Sequence, residues 1–242
     1  MAGLVSEVSA RGQAQASSHA LAVRSMFDRI SPTYDLLNRL MSAGIDKRWR
    51  ARALTRLALS LPPGPLLDSC AGTLDLAAAM EQRFPERSLL AADFAREMLV
   101  RGRGKVQRAP ALVGDAMRLP VRSAALAGMT CAFGMRNLSS PEAGLREAHR
   151  VLMPGGTFVV LEFFRPSTLP MRVFHAVYAR FVLPTVGSLV SRDREAYAYL
   201  ARSMQGFYTR AEFEALARKV GFSVVESEDL SFGIASLFRL VK

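Results

Sequence analysis

The sequence is short of several things. It holds only two cysteines, Cys70 and Cys131, among 242 residues, and each lies inside an apolar stretch. That excludes a disulfide scaffold, offers no zinc-ligand spacing and fits a reducing compartment. No metal site is expected. No apolar run approaches the ~20 residues of a membrane-crossing helix. The N-terminus lacks the apolar core of a secretory signal, so a cytoplasmic protein is expected. Internal repeats and low-complexity tracts are missing. Acids are the scarcer charge: 21 Asp and Glu against 32 Lys and Arg give a net charge of +11. The basic residues are scattered without interleaved aromatics, so nucleic acid is not the expected partner. A plain soluble basic protein and one that touches an anionic membrane surface both fit this charge. Half of the residues are hydrophobic, enough for a large core and against global disorder.

What is present is organised around Leu66-Leu67-Asp68-Ser69-Cys70-Ala71-Gly72-Thr73-Leu74-Asp75-Leu76-Ala77. The segment opens apolar, turns at Ala71-Gly72-Thr73 and runs into an alanine-rich helical pattern. It reads as a strand, a glycine turn and a helix start. Gly72 lets the backbone approach a ligand, and the helix N-terminus behind it offers free N–H donors. Asp93 follows the next apolar run, where a carboxylate accepts from both hydroxyls of a ribose. The pair suggests an adenosine-type cofactor; Gly72 as a simple turn glycine is the alternative. The turn lacks the G-x-G-x-x-G spacing of a dehydrogenase.

Residues 1–20, small and polar, read as a flexible tail. Residues 21–61 read as a helical arm: Val23, Met26, Phe27 and Ile30 share a face, Ser31-Pro32 interrupts it, and helix resumes at Tyr34. A helix over 52–61 closes the arm, which either packs over the sheet or acts as a lid over a ligand site. Strands are expected from Leu66 to the turn at Ala71, and at 89–93, 111–116, 127–133 and 157–163, alternating with helices at 75–83, 95–105 and 141–153. That alternation predicts an α/β fold, a Rossmann-like, doubly wound, mostly parallel sheet. Residues 166–206 read as an apolar helical insert, a core element or a greasy wall. Thr209 caps a helix over 210–220 that Gly221 closes, and 222–230 with 234–241 form an antiparallel C-terminal hairpin. Residues 21–242 are expected to make a single domain.

This order of motifs resembles class I S-adenosylmethionine-dependent methyltransferases. More narrowly, the chain resembles the ubiquinone/menaquinone-biosynthesis C-methyltransferase family from about Val23 onward. The segments that carry the resemblance are Met26-Phe27-Asp28-Arg29-Ile30-Ser31-Pro32-Thr33-Tyr34-Asp35-Leu36-Leu37-Asn38 with Trp49, then Phe133-Gly134-Met135-Arg136-Asn137, and Arg150 to Gly156 leading to Leu161-Glu162-Phe163. Leu183-Pro184 and Ala196-Tyr197-Ala198-Tyr199-Leu200 also match. The resemblance implies S-adenosyl-L-methionine as cofactor and methylation of a ring carbon of a prenylated quinol, most simply demethylmenaquinol to menaquinol. It implies cofactor contacts at Gly72, Thr73, Asp93, Asp115 and Ala116. Asp93 would take the ribose, and Asp115 with the backbone around Ala116 the adenine. The chain departs from the family at Leu74, where glycine is usual, at Ala132, and at Phe164, where a small polar residue is common. Leu74 is expected to alter the path around the methionine moiety and Phe164 the substrate mouth.

The chemistry asks for a deprotonated ring hydroxyl, in-line attack on a methyl group and loss of the ring proton. Arg136, at the end of a strand, suits stabilisation of a phenolate; a salt bridge to a nearby acid is its other reading. Tyr34 suits a hydrogen bond to the quinol oxygen, or plain packing. Asp115 suits a proton acceptor or a cofactor anchor. His149 and His175 are alternative bases. Membrane contact at the inner face and a homodimer are left open. A small aromatic or polyketide acceptor, and a non-enzymatic basic protein binding RNA or membrane, are the rival readings.

Overall fold

The structure is a computed structural model that describes residues 18, 20–166, 169, 171–173 and 194–242. Almost all of the expected tail, most of the expected insert, and His175 with them, lie outside the described residues. Among the described residues no helix is long and apolar enough to cross a membrane.

Seven strands form one sheet. They are β1 (Leu66–Ser69), β2 (Leu89–Asp93), β3 (Ala111–Val113), β4 (Leu126–Ala132), β5 (Leu152–Glu162), β6 (Val224–Leu230) and β7 (Ala235–Val241), in the order β3-β2-β1-β4-β5-β7-β6. All neighbours are parallel except β7, which runs antiparallel to both β5 and β6. The expected doubly wound sheet and C-terminal hairpin are therefore present. The chain steps outward from β1 to β3 and returns to β4 on the other side of β1. Such a reversal leaves a crevice beyond the carboxyl ends of β1 and β4.

Helices cover both faces. The arm comprises a helix over residues 20–30 (α1), α2 (Tyr34–Ser42) and α3 (Asp46–Leu57). Next come α4 (Asp75–Arg83), α5 (Arg96–Gly102), α6 (Pro141–Val151), α7 (Arg194–Gly206) and α8 (Arg210–Val220). Leu54 and Leu57 of α3 and Leu76, Ala77 and Met80 of α4 fill one face with Leu66, Val159 and Leu161. On the other face, Leu145, Ala148 and Val151 of α6 and Phe213 and Ala217 of α8 pack on Leu67, Met129, Phe158 and Phe238. Thr209 caps α8 in a reciprocal capping box with Glu212, and Gly221, at φ 117°, closes it, as the sequence predicts.

Several element ends differ from expectation, and four of them have a local cause. α3 begins at Asp46 because Ala43 and Gly44 are left-handed (φ 48° and 76°) and end α2 there. β3 stops at Val113, since Asp115 instead bridges to Arg118. α5 ends at Gly102, where a Cβ would stand 2.3 Å from the Thr73 carbonyl oxygen; only glycine allows that approach to the turn. β5 begins at Leu152 because Leu152 pairs with Leu126 before an irregularity, after which Thr157 pairs with Gly128.

The turn after β1 is the strained part of this frame. Cys70, Gly72 and Leu74 are all left-handed, at φ 52°, 52° and 64°. Only the middle one is glycine. Leu74 is fully buried, and its side chain fills the core beside Gly102. Left-handed leucine costs roughly 1–2 kcal/mol, whereas emptying a buried leucine site costs about 3–5 kcal/mol. Packing wins, so the turn keeps the path a glycine would give it. Leu74→Gly should therefore lower the thermal midpoint; a raised midpoint would show that strain outweighs packing.

Candidate active site

The crevice holds two cavities. The first, about 90 Å³, lies beyond β1, β2 and β4 and is lined by Gly72, Asp93, Phe94, Met98, Asp115, Ala116, Met117 and Leu138, among others. The second, about 290 Å³, lies under the arm, between Met26, Leu37, Met41, Trp49, Phe163, Met204 and Ile234. Phe27, Tyr34, Phe133 and Asn137 line both, so the cavities meet there.

The smaller cavity fits an adenosine-type cofactor. Asp93 ends β2, and its Oδ2 accepts the Gly72 N–H (2.8 Å) while Oδ1 accepts the Ala95 N–H (2.7 Å). The turn thus fixes the carboxylate at the cavity wall, with lone pairs to spare for a diol. Burial raises its pKa, and those two N–H groups oppose the shift. A Cβ on Gly72 would meet nothing nearer than Tyr34 Cε1, at 3.9 Å, so the backbone there is open to a ligand. Asp115 Oδ1 accepts the Met117 N–H (2.8 Å), which holds its carboxyl at the apolar slot between Ala116, Met117 and Leu138. That slot suits a flat base with one polar edge.

Thr73 departs from its expected role. Its side chain lines neither cavity; it is buried, and its hydroxyl donates to Asp35 Oδ1 of α2 (2.5 Å). The left-handed residues on either side turn it away from the cleft. Leu74 and Phe164 also line neither cavity. Phe164 packs against Phe207, Phe213 and Phe238 in the core, so it does not shape a substrate mouth. Asp115 is brought to the cofactor cavity and not to the larger one. His149 stacks edge-on against Phe222 and lies beside Gly221, away from both cavities.

The larger cavity is apolar with polar groups at its inner end. Phe133 and Phe163 stack at 4.6 Å, with Trp49 tilted against Phe133 at 6.2 Å and edge-on to Phe163 at 6.1 Å. Arg136 lies over Phe163 (5.5 Å) and pairs with the fully buried Glu162: Nη1 donates to Oε1 (2.5 Å), and to the Phe133 carbonyl (2.8 Å). Its Nε–H is buried with no partner among the described residues. The salt-bridge reading of Arg136 is thus realised, and a free donor remains. Tyr34 has its phenol raised by burial, against a hydrogen bond from Asn38 one helical turn on, so it stays protonated at neutral pH. Tyr199 donates to Asn137 Oδ1 (3.2 Å).

An ion chain fastens the arm to the cofactor turn. Lys105 Nζ lies 2.5 Å from Asp35 of α2 and 2.6 Å from Asp75 of α4. Arg50 of α3 reaches Asp75 and Asp46, each at 2.9 Å. Neither Lys105 nor Asp35 stands out in the sequence: they are 70 positions apart and share no local pattern. Glu162, Asn38 and Asn137 were likewise given no role by sequence reasoning; only the i, i+4 spacing of Tyr34 and Asn38 signals a pair.

Asp68, in β1 beneath the turn, accepts from the Thr130 hydroxyl (2.7 Å), and its Oδ2 is buried with no close hydrogen-bond partner among the described residues. Burial raises this carboxyl to about 7. The folded chain therefore holds a proton that the unfolded chain releases near pH ~4. Stability should fall as pH rises from there to about 7. Asp68→Asn should flatten that slope and exceed the wild type at pH ~8, by on the order of 1 kcal/mol in urea melts. Parallel pH curves for the two proteins would contradict this.

The comparisons with known proteins agree with the geometry. The model of the ubiE/COQ5 methyltransferase family matches residues 13–242. A demethylmenaquinone methyltransferase of Thermus thermophilus is 42% identical over 216 residues, 88% of this chain and 97% of that protein. A ubiquinone/menaquinone biosynthesis C-methyltransferase, UbiE, of Syntrophotalea carbinolica is 39% identical, covering 89% of this chain and 92% of that one. Among solved structures, a SAM-dependent methyltransferase from Thermotoga maritima superposes with a TM-score of 0.63 at 19% identity, over 90% of this chain and 99% of that one. A phosphoethanolamine N-methyltransferase of Haemonchus contortus, solved with S-adenosylhomocysteine, gives 0.66 at 14% identity, over 91% of this chain and 60% of that one. Likenesses this distant bear on the fold alone.

Proposed function

The chain belongs to the ubiE/COQ5 methyltransferase family, and we propose that it methylates a ring carbon of a prenylated quinol, converting demethylmenaquinol to menaquinol. It is an S-adenosyl-L-methionine-dependent methyltransferase of Rossmann-like fold. The observation that carries the substrate reading is the junction: the cavity lined by Gly72, Asp93 and Asp115 meets a larger, mostly apolar one at Phe27, Tyr34, Phe133 and Asn137. The names of the relatives agree with it.

When bound, S-adenosyl-L-methionine supplies an electrophilic methyl group. Asp93 holds its ribose, the open backbone at Gly72 borders its path, and Asp115 anchors the base edge rather than moving a proton. The quinol ring lies among Phe133, Phe163 and Trp49, which exclude water from the reacting carbon. Arg136 would offer its unpartnered Nε–H to the ring oxygen as that oxygen gives its proton to solvent and becomes a phenolate. After the methyl group passes to the ring carbon and leaves S-adenosylhomocysteine, the ring proton returns to the phenolate oxygen through solvent and restores the quinol. Glu162 holds the guanidinium in place for this. Tyr34, protonated and at the junction, gives a second hydrogen bond and orients the ring, which lowers the entropy cost of in-line attack. The prenyl tail leaves through the apolar outer part of the cavity, so the reaction takes place at the inner face of the cytoplasmic membrane.

Labelled methyl transfer to demethylmenaquinol tests the reading, and lack of product with the cofactor bound would contradict it. Asp93→Ala should weaken cofactor binding by roughly tenfold or more in calorimetry, as expected when a charged hydrogen-bond acceptor is lost. Arg136→Lys keeps a charge for Glu162 but loses the guanidinium donor. It should reduce kcat by about 10- to 100-fold with cofactor affinity unchanged; full turnover would remove Arg136 from the mechanism.

A further inference from the structure

Phe232 is 99% exposed and left-handed, at φ 61°, between left-handed Ser231 and Gly233. The fold gains nothing from this. A bulky residue at positive φ is strained, and a fully exposed ring leaves its apolar surface in water. Two costs at one residue point to a contact made beyond the described residues.

The turn that carries Phe232 stands at the mouth of the larger cavity. Trp49 Nε1 donates to Ser231 Oγ (2.9 Å), and Ile234, just past the turn, lines the cavity. Ala43 and Ile45 line it too and are solvent-exposed, which places the opening at the α2–α3 corner. Leu36 and Leu40, four apart on α2, are 53% and 50% exposed, while Leu37 and Met41 on its other face line the cavity. The mouth is therefore rimmed by exposed apolar side chains from both sides.

On the α2–α3 side of this rim the exposed charges are of one sign, and beside the Phe232 turn Asp229 is paired with Arg210 and Glu228 with Arg52 and Arg56. Over residues 34–50 the acids are Asp35 and Asp46, and both turn inward to Lys105 and Arg50. Arg39, Lys47 and Arg48 stay exposed. We propose that this rim docks on an anionic bilayer: Phe232, Leu36, Leu40 and Ile45 enter the interfacial layer, and Arg39, Lys47 and Arg48 meet lipid headgroups. A second copy of the chain fits worse, because a twofold contact would bring the same positive charges together. The inference deepens the quinol reading and rests on it for its purpose: a prenylated ring passes from the bilayer into the cavity without crossing water.

The test uses the full chain and vesicles of phosphatidylcholine with and without phosphatidylglycerol. Wild type should co-sediment with the anionic vesicles, less so at high salt. Phe232→Asn suits the left-handed turn, so its thermal midpoint should be no lower than wild type, while its vesicle binding weakens by roughly tenfold or more. Leu36→Ser with Leu40→Ser should weaken binding similarly. Turnover of a vesicle-borne acceptor should fall in step, and turnover of a tail-less demethylated naphthoquinol in solution should not. The proposal is overturned if wild type ignores anionic vesicles, if Phe232→Asn binds them equally well, or if the variant only converts a dimer to a monomer. Loss of vesicle binding in the variants, from a wild type that methylates no quinol, would uphold the docking surface and refute the substrate reading.

Discussion

The site depends on one chain of charges. Asp35, Lys105, Asp75, Arg50 and Asp46 run from the arm to the helix behind the cofactor turn, and the Thr73 hydroxyl joins them at Asp35. Without it, α2 would rest on the fold by apolar contact, and α3 would keep only Arg52 and Arg56 on Glu228 and Trp49 on Ser231, which do not reach the cofactor turn. With it, Tyr34 is held 3.9 Å from the open side of Gly72. The larger cavity exists because the arm is fixed there: most of its wall comes from the arm, residues 26–50. These charges are part-buried and each is shared by more than one partner, so they fix geometry more than they add stability. Burial would raise the Asp35 carboxyl, but the hydrogen bonds from Lys105 and Thr73 hold it below its ordinary value. The Asp35 end of the chain is therefore charged at neutral pH.

The reactive end of the cavity follows a similar logic. Arg136 and Glu162 neutralise each other in the core, so a cation can face an apolar pocket without forcing its own hydration. The unpartnered Nε–H is what that arrangement leaves for a substrate. The same cavity is mostly apolar, holds the Arg136 donor where it meets the cofactor cavity, and opens beside a rim of exposed apolar residues, which matches a ring with polar oxygens on a long apolar tail.

Much of this was legible in the sequence because the signals are local. A strand, Gly72 and a helix start lie within twelve residues, and Asp93 closes the next strand, so the cofactor cleft and the sheet topology could be read off. The arm's break at Ser31-Pro32 and the caps at Thr209 and Gly221 were readable for the same reason. Contacts across the fold were not. Lys105 meets Asp35, and Arg136 meets Glu162, only once the sheet is assembled. Thr73 and Phe164 were misread because turn geometry and strand facing, not residue type, decide where a side chain points. Leu74 was taken as a threat to the turn, whereas burial holds it in the conformation a glycine would adopt.

The central claim is that the ion chain holds the arm over the cofactor turn. Hydrogen exchange on Lys105→Met tests it most directly, since the variant keeps the stem and removes the charge between Asp35 and Asp75. Amides of residues 34–50 should exchange at least about tenfold faster, with the sheet amides unchanged and cofactor affinity reduced. Arm protection equal to wild type would contradict the claim and leave apolar packing as the force that seats the arm.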